Sequence, residues 1–236
     1  MEQAQPRFAA DPAARVTAPA AAQGGPGSTA QGQRSRDRVL QASVDLIAEA
    51  GIDQVRVAKI ARRAGMSPGQ VMYYFTSKEN ILLEALAWLE HEDTRRRRAA
   101  LRRIDGGWRQ LARFVDLFLP ASPVDPSWLL WIEAWARAPH NPEVSSFLDE
   151  LMLPWREDLA QIVERGVQQG VFRPLDAIGD FTIRFCALLD GLGVFHLRHK
   201  PSLPRHRVAE LAMDTARAEL TTATGAPSPS PAPLPS

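Results

Sequence analysis

The sequence predicts an all-α protein, a three-helix N-terminal head followed by a larger helical domain, with about nine helices in total. Three observations carry that expectation. Apolar residues recur at i, i+3, i+4 and i+7 along most of the chain, as in Val57, Ile60, Ala61 and Ala64, which places them on one face of a helix. The alternating apolar and polar runs of half-buried strands are absent. Glycine, proline and short polar residues stand where the periodic runs begin and end, as helix boundaries require.

Taken in order, Arg36 to Ala50 repeats apolar residues at Val39, Leu40, Val44, Leu46 and Ile47, and Gly51 closes this first helix. Val57 to Ala64 is the second, short and one-sided, with Lys59, Arg62 and Arg63 off its apolar face. Gly65 supplies the permissive backbone of a sharp C-terminal turn, and Ser67-Pro68-Gly69-Gln70 reads as a capping box with proline at the first helical position. A helix, a glycine-containing turn and a second helix form the helix-turn-helix unit, whose second helix presents its N-terminal residues to base edges. Ser67 to Tyr74 is therefore the reading helix.

Thr76-Ser77-Lys78-Glu79 reads as another capping box, opening a helix through Ile81, Leu82, Ala85, Leu86 and Leu89 to about Arg103. Arg95 to Arg98 lie roughly 25 Å or more along it from Lys78, at about 1.5 Å of rise per residue, and read as a solvated basic face. Trp108, Leu111, Val115, Phe118 and Leu119 define the next helix, and after Asp125-Pro126 another places Trp128, Trp131, Ile132 and Trp135 on one stripe, with Glu133 and Arg137 as an i, i+4 ion pair. Asn141-Pro142 caps a long helix to about Gln169, in which Pro154 is expected to cause a kink or break. Asp176 to His199 is apolar nearly all round, and residues 205 to 221 make a last helix.

The first 33 residues carry almost no large apolar side chain, and the stretch from Thr222 onward is proline-rich, so both read as disordered tails flanking a head at 34–80 and a body at 81–221. No apolar run is long enough to span a bilayer, no secretory segment opens the chain, and a lone cysteine, Cys186, excludes an intrachain disulfide. A cytoplasmic protein is expected, without membrane partner, metal or cofactor. The net charge of +1 hides an asymmetry, for residues 34–80 hold eight basic against five acidic side chains, a layout suited to one end meeting phosphate.

Residues 34–80 resemble the DNA-binding domain of the tetracycline-repressor (TetR) family of bacterial transcription regulators. The resemblance is carried by Ile60, Ala61, Ala64, Gly65, Ser67, Gly69, Tyr74, Phe75 and Lys78, with Ile81 where the pattern ends in leucine. Arg56 stands where a threonine usually opens the second helix, and Met72 where a tyrosine is usual. Trp128 to Leu192 resembles the C-terminal domain of the betaine-responsive (BetI-type) branch, through Trp131-Ile132-Glu133-Ala134-Trp135, Asn141-Pro142-Glu143, Glu164 with Gly166, Gly170-Val171-Phe172 and Leu189-Asp190-Gly191-Leu192. The resemblance implies a sequence-specific DNA-binding regulator, a repressor released from a pseudo-palindromic operator by a small molecule. It also implies that the start of the first helix lies near the DNA backbone.

The expected DNA-contacting residues follow from how helix N-termini meet duplexes. Arg36, Tyr74 and Lys78, with the helix ends at Ser67 and Thr76, are expected on phosphates, and Gln70, Tyr73 and Pro68 on bases. Arg56 joins them at the opening of the second helix. A homodimer is expected through the last two helices, at Phe181, Phe185, Leu188, Leu192, Phe195, Val208 and Leu211, because the first of them has more apolar surface than one chain's core covers. An effector pocket is expected among Phe114, Phe118, Trp131, Trp135, Trp155 and Asp190, suited to an aromatic or cationic molecule. Against this stand two rivals, a helical adaptor without specific DNA binding and an enzyme. The enzyme finds little support, since His91, His140, His196, His199 and His206 fall in no nucleophile, metal or phosphate-cradle motif.

Overall fold

In the computed structural model, residues 30–198 and 203–220 are described, and every regular element among them is helical. The order is α1 (Ala30–Ala50), α2 (Val57–Ala64), α3 (Pro68–Tyr74), α4 (Lys78–Leu101), α5 (Gly107–Phe118), α6 (Pro126–Trp135), α7 (Pro142–Gln168), α8 (Ile178–Arg198) and α9 (Arg205–Leu220), with 3-10 turns at Ile52–Gln54 and Ala138–His140. No helix among the described residues is long and apolar enough to cross a membrane. Most of the two expected tails lies outside the described residues. The chain divides into two compact units, one running through Glu90 and including Pro126–Leu151, the other made of His91–Asp125 and the chain from Met152 on.

In the first unit α1 begins at Ala30, not Arg36, and takes in residues assigned to the tail. Gln31, Gln33 and Arg34 are good helix formers, so the helix propagates outward without burial, and Gln33 donates to Asp37 one turn on, at 2.8 Å. Val39, Leu40, Val44 and Ile47 of α1 meet Ile60 and Ala61 of α2, Val71 of α3, Phe75, and Ile81 and Leu82 of α4 in one buried core. Arg36 is drawn inward. Its guanidinium pairs with the buried Glu84 of α4 and lies 5.5 Å from the centre of the Phe75 ring. Burial lowers its pKa from the usual arginine value, against the opposing field of Asp37.

The cap of α4 sits one residue later than its sequence suggests. Ser77, not Thr76, caps the helix by accepting from the Asn80 N–H at 3.0 Å, while the Asn80 side chain accepts from the Thr76 N–H at 3.3 Å. Asn80 wins this role over Glu79 because it is buried and also donates to Glu84 at 3.3 Å. α7 runs unbroken through Pro154. One lost backbone hydrogen bond does not outweigh burial of Val144, Phe147, Leu159, Ile162 and Val163 along it.

In the second unit Leu111, Phe114, Val115, Leu159, Val163, Phe181, Phe185, Val208 and Ala212 form the core. Phe172 lies against Gly166 and Gly107, where any added Cβ would meet its ring at 2.0 and 2.9 Å. Arg205 of α9 donates to Asp116 at 2.6 Å and to the Pro120 carbonyl at 3.0 Å, tying α9 to α5. The basic run on α4 is not one solvated face. Arg95 and Arg96 pair with Glu92 on their own helix, whereas Arg97 is 1% exposed, bonds Asp158 at 2.7 Å and stacks 3.6 Å over Trp155. Arg98 bonds the same carboxylate at 2.8 Å, which raises its pKa. The periodicity explains this, for Leu86, Glu90, Arg97 and Leu101 share one buried stripe.

Candidate functional site

α2 ends because Gly65 adopts the left-handed conformation, φ 68° and ψ 38°, and sends the chain sharply into α3. The Ser67 hydroxyl accepts from the Gln70 N–H at 3.2 Å and the Gln70 Oε1 accepts from the Ser67 N–H at 2.8 Å. Both arms of the capping box are therefore made, with Pro68 at the first helical position. Val71 and Phe75 turn into the core, so Ser67, Pro68, Gln70 and Tyr73 are left on the exposed side, with Tyr74 half-buried beside them. Tyr73 is 66% exposed, far more than a core tyrosine, and meets Tyr74 edge to face at 5.4 Å.

A polar cleft of about 700 Å³ opens between the start of α1 and α3, lined by Ser35 and Arg38 on one side and Ser67, Gln70, Tyr73 and Tyr74 on the other. Ser67, Gln70, Tyr73 and Tyr74, four of the nine residues expected on DNA, thus share one concave surface. The others stand apart from it. Arg56 is exposed ahead of α2 and supplies no side-chain cap; Pro68 is exposed on α3; Arg36 is engaged with Glu84 and Phe75. The Lys78 ammonium donates to the Ile52 carbonyl at 3.1 Å, so it fastens α4 to the turn after α1. Arg63, on the same head, forms a two-pronged pair with Glu49 at 2.7 and 3.1 Å.

The residues expected in the effector pocket fall into two groups. In the first unit, Trp131 and Trp135 of α6 lie 5.4 Å apart, and Trp128 meets Trp135 edge to face at 6.2 Å. The Trp131 Nε1–H donates to Glu90 at 2.6 Å, and Glu90 is 4% exposed. Trp128 and Glu90 were not among the expected pocket residues. The sequence signal for Glu90 was a carboxylate four residues after Leu86 and seven after Leu83, at the spacing of the buried face of α4.

In the second unit, Phe114, Phe118 and Trp155 pack mutually at 4.8 to 5.9 Å, and Arg97 covers the Trp155 face. Asp190 is in this unit, on α8. Burial pushes its carboxyl up to about 7 against the attraction of Arg156. Burial likewise drives the Cys186 thiol to about 12, which makes it an unreactive core group.

The residues expected at the dimer contact also divide. Phe181, Phe185 and Val208 are buried within the chain's own core, Leu188, Leu192 and Leu211 are half-buried, and Phe195 is 51% exposed. Phe195 shares an exposed stripe of α8 with Ile183, Ala187 and Gly191. Ile183 was missed because the helix is apolar all round and its periodicity does not mark an outer face. Among the described residues no group of three or more His, Cys, Asp or Glu is placed to hold a metal.

A helix-turn-helix head joined to a helical body defines a DNA-binding transcriptional regulator with a ligand-binding domain. Residues 39–85 match the family described as bacterial regulatory proteins, tetR family, and residues 108–221 match the BetI-type transcriptional repressor C-terminal domain. The chain belongs to the TetR family, a family of transcriptional regulators rather than enzymes.

A protein from Saccharomonospora viridis described as a transcriptional regulator, solved in complex with choline, is 30% identical, with 80% of this chain and 98% of that one covered and a TM-score of 0.73. A TetR-family regulator from Rhodococcus sp. is 22% identical, covering 80% of this chain and 100% of that one at TM-score 0.68. The regulator FadR from Bacillus subtilis, in complex with stearoyl-CoA, is 18% identical, covering 75% and 95% at TM-score 0.62. The last two similarities show the fold alone. No curated protein sequence matches the chain.

Proposed function

We propose that this regulator represses by holding a pseudo-palindromic operator as a homodimer, and that a small quaternary-ammonium cation releases it. The observation that carries the effector class is the set of three packed indoles on α6, of which Trp131 donates to the buried carboxylate of Glu90. Indole faces attract a cation through the ring quadrupole, and a desolvated carboxylate adds charge complementarity, the combination used to recognise methylated ammonium groups. The choline bound by the Saccharomonospora viridis protein supports the same class. Asp190, Phe114, Phe118 and Trp155 are left as core residues in this reading, since Trp155 already faces a cation, Arg97.

The head at 34–80 reads DNA in the cytoplasm, with Gln70, Tyr73 and Pro68 on base edges and Tyr74, Ser67 and Arg56 on phosphates. Lys78 and Arg36 contribute by holding the head in shape, from the contacts they make within the chain. The second copy covers the Ile183 to Phe195 stripe of α8, and two-fold symmetry sets the reading helices for successive major grooves.

Titration calorimetry with choline, tetramethylammonium and stearoyl-CoA tests the effector class. Choline and tetramethylammonium should bind and release a labelled operator, and Glu90→Gln should weaken both by tenfold or more while the variant still binds DNA. Binding of stearoyl-CoA alone, or equal binding by Glu90→Gln, would overturn the reading.

A further inference from the structure

The turn Ile52–Gln54, between α1 and the reading pair α2 and α3, is gripped on both sides of a single residue. The Ile52 carbonyl accepts from Lys78 at the start of α4, and the Ile52 N–H donates to Oε1 of Glu133 on α6 at 3.1 Å. Arg137 strengthens the second grip, with one guanidinium nitrogen 3.0 Å from the other Glu133 oxygen and another 3.7 Å from Asp53 of the turn. Gly51 shows how close the approach is. It has φ 73°, and a Cβ there would lie 3.1 Å from the Glu133 carboxylate. Ile52 is 1% exposed, so its N–H has no water to turn to.

We propose that Glu133 is a positioning residue for DNA reading: from α6 it fixes the turn that aims α2 and α3, while Lys78 fixes the same turn from α4. Glu133 touches no base or phosphate in this role. It acts through Ile52, which is buried between α1 and the start of α2 and leads directly to Val55 and Arg56. Backbone bonds from Gly51 to Ile47 and from Val55 to Ile52 shape the turn itself, while Glu133 and Lys78 tie it to α6 and α4. Loss of Glu133 therefore blurs the geometry needed for base contacts but leaves the basic side chains that meet phosphate. The inference rests on the DNA-reading role of the head and is independent of which effector binds.

The test uses the full chain and an operator selected by the unmodified protein from a pool of randomised duplexes. Should the unmodified protein select no sequence, the DNA-reading role fails before Glu133 is in question. Given an operator, Glu133→Ala should weaken operator binding roughly tenfold, the scale of one charged hydrogen bond, while binding to an unrelated duplex and its salt slope stay within twofold. Glu133→Gln keeps an oxygen acceptor for the Ile52 N–H and should restore operator affinity to within threefold of the unmodified protein. Circular dichroism melting of both variants shows whether they fold. Operator affinity of Glu133→Ala within twofold of the unmodified protein would overturn the proposal. So would a parallel fall on both duplexes, or a folded Glu133→Gln as defective as Glu133→Ala.

Discussion

Gln70 caps α3 in this structure and reads a base in the proposed function, and Gln70→Glu separates the two roles. Its Oε1 is committed to the Ser67 N–H at 2.8 Å, so only the amide Nε2, with two donor hydrogens, remains for a base edge. Glutamate keeps an oxygen for the capping box and places its charge in the first turn of α3, where the helix dipole favours an anion by about 0.3–1 kcal/mol. Folding stability should therefore hold or rise, by no more than about 1 kcal/mol. Gln70→Ala loses the side-chain arm of the box, at a cost of about 0.5–1 kcal/mol because the site is exposed. On DNA both variants lose the amide donors, worth about 1–3 kcal/mol of discrimination at each half-site. Glutamate does more than lose them. A carboxylate accepts from the amino group of cytosine, so the preferred base at one operator position should move toward cytosine. Selection from randomised duplexes, run beside urea unfolding, measures both quantities. A base preference unchanged at every position in Gln70→Glu would refute the reading role and leave Gln70 as a cap alone.

Three further outcomes are expected. Gly166→Ala would bring a Cβ to 2.0 Å from Phe172 Cδ2, so urea unfolding should show a loss of about 1–3 kcal/mol, and the same change made in a Phe172→Ala background should cost less; a loss below about 0.5 kcal/mol would contradict the packing. The Asp190 carboxyl is raised to about 7 in the fold, so between about pH 4 and 7 the native state holds a proton that the unfolded chain releases. Stability should fall as pH rises through that window, and Asp190→Asn should flatten the fall in unfolding curves taken at each pH. Ile183→Glu puts a charge on the exposed α8 stripe and should convert a dimer to a monomer in sedimentation at micromolar concentration, with the helical signal retained; an unmodified protein that is already monomeric would sink the dimer.

The reading pair was legible in the sequence to within a residue. Gly65, Ser67, Pro68 and Gln70 act through their own backbone and near neighbours, so their pattern survives without tertiary context. The shift of the α4 cap from Thr76 to Ser77 was not legible, because burial of Asn80 decided between two boxes of similar chemistry. The partners that Arg36 and Lys78 find within the chain were not legible either. A basic residue near a helix start in a basic head looks like a phosphate ligand, and only the fold brings Glu84 and the Ile52 carbonyl to them.

By itself the sequence determined the all-α class, the order of the helices, the cap of α3 and the placing of the helix-turn-helix, because each depends on contacts within about four residues along the chain. Tertiary structure decided which charges are buried and which find partners far along the chain. Arg97 and Asp158 are 61 positions apart, Trp131 and Glu90 41, and Glu133 and Ile52 81. No local periodicity encodes such pairs, since a buried charge is tolerated only where the rest of the fold delivers its partner.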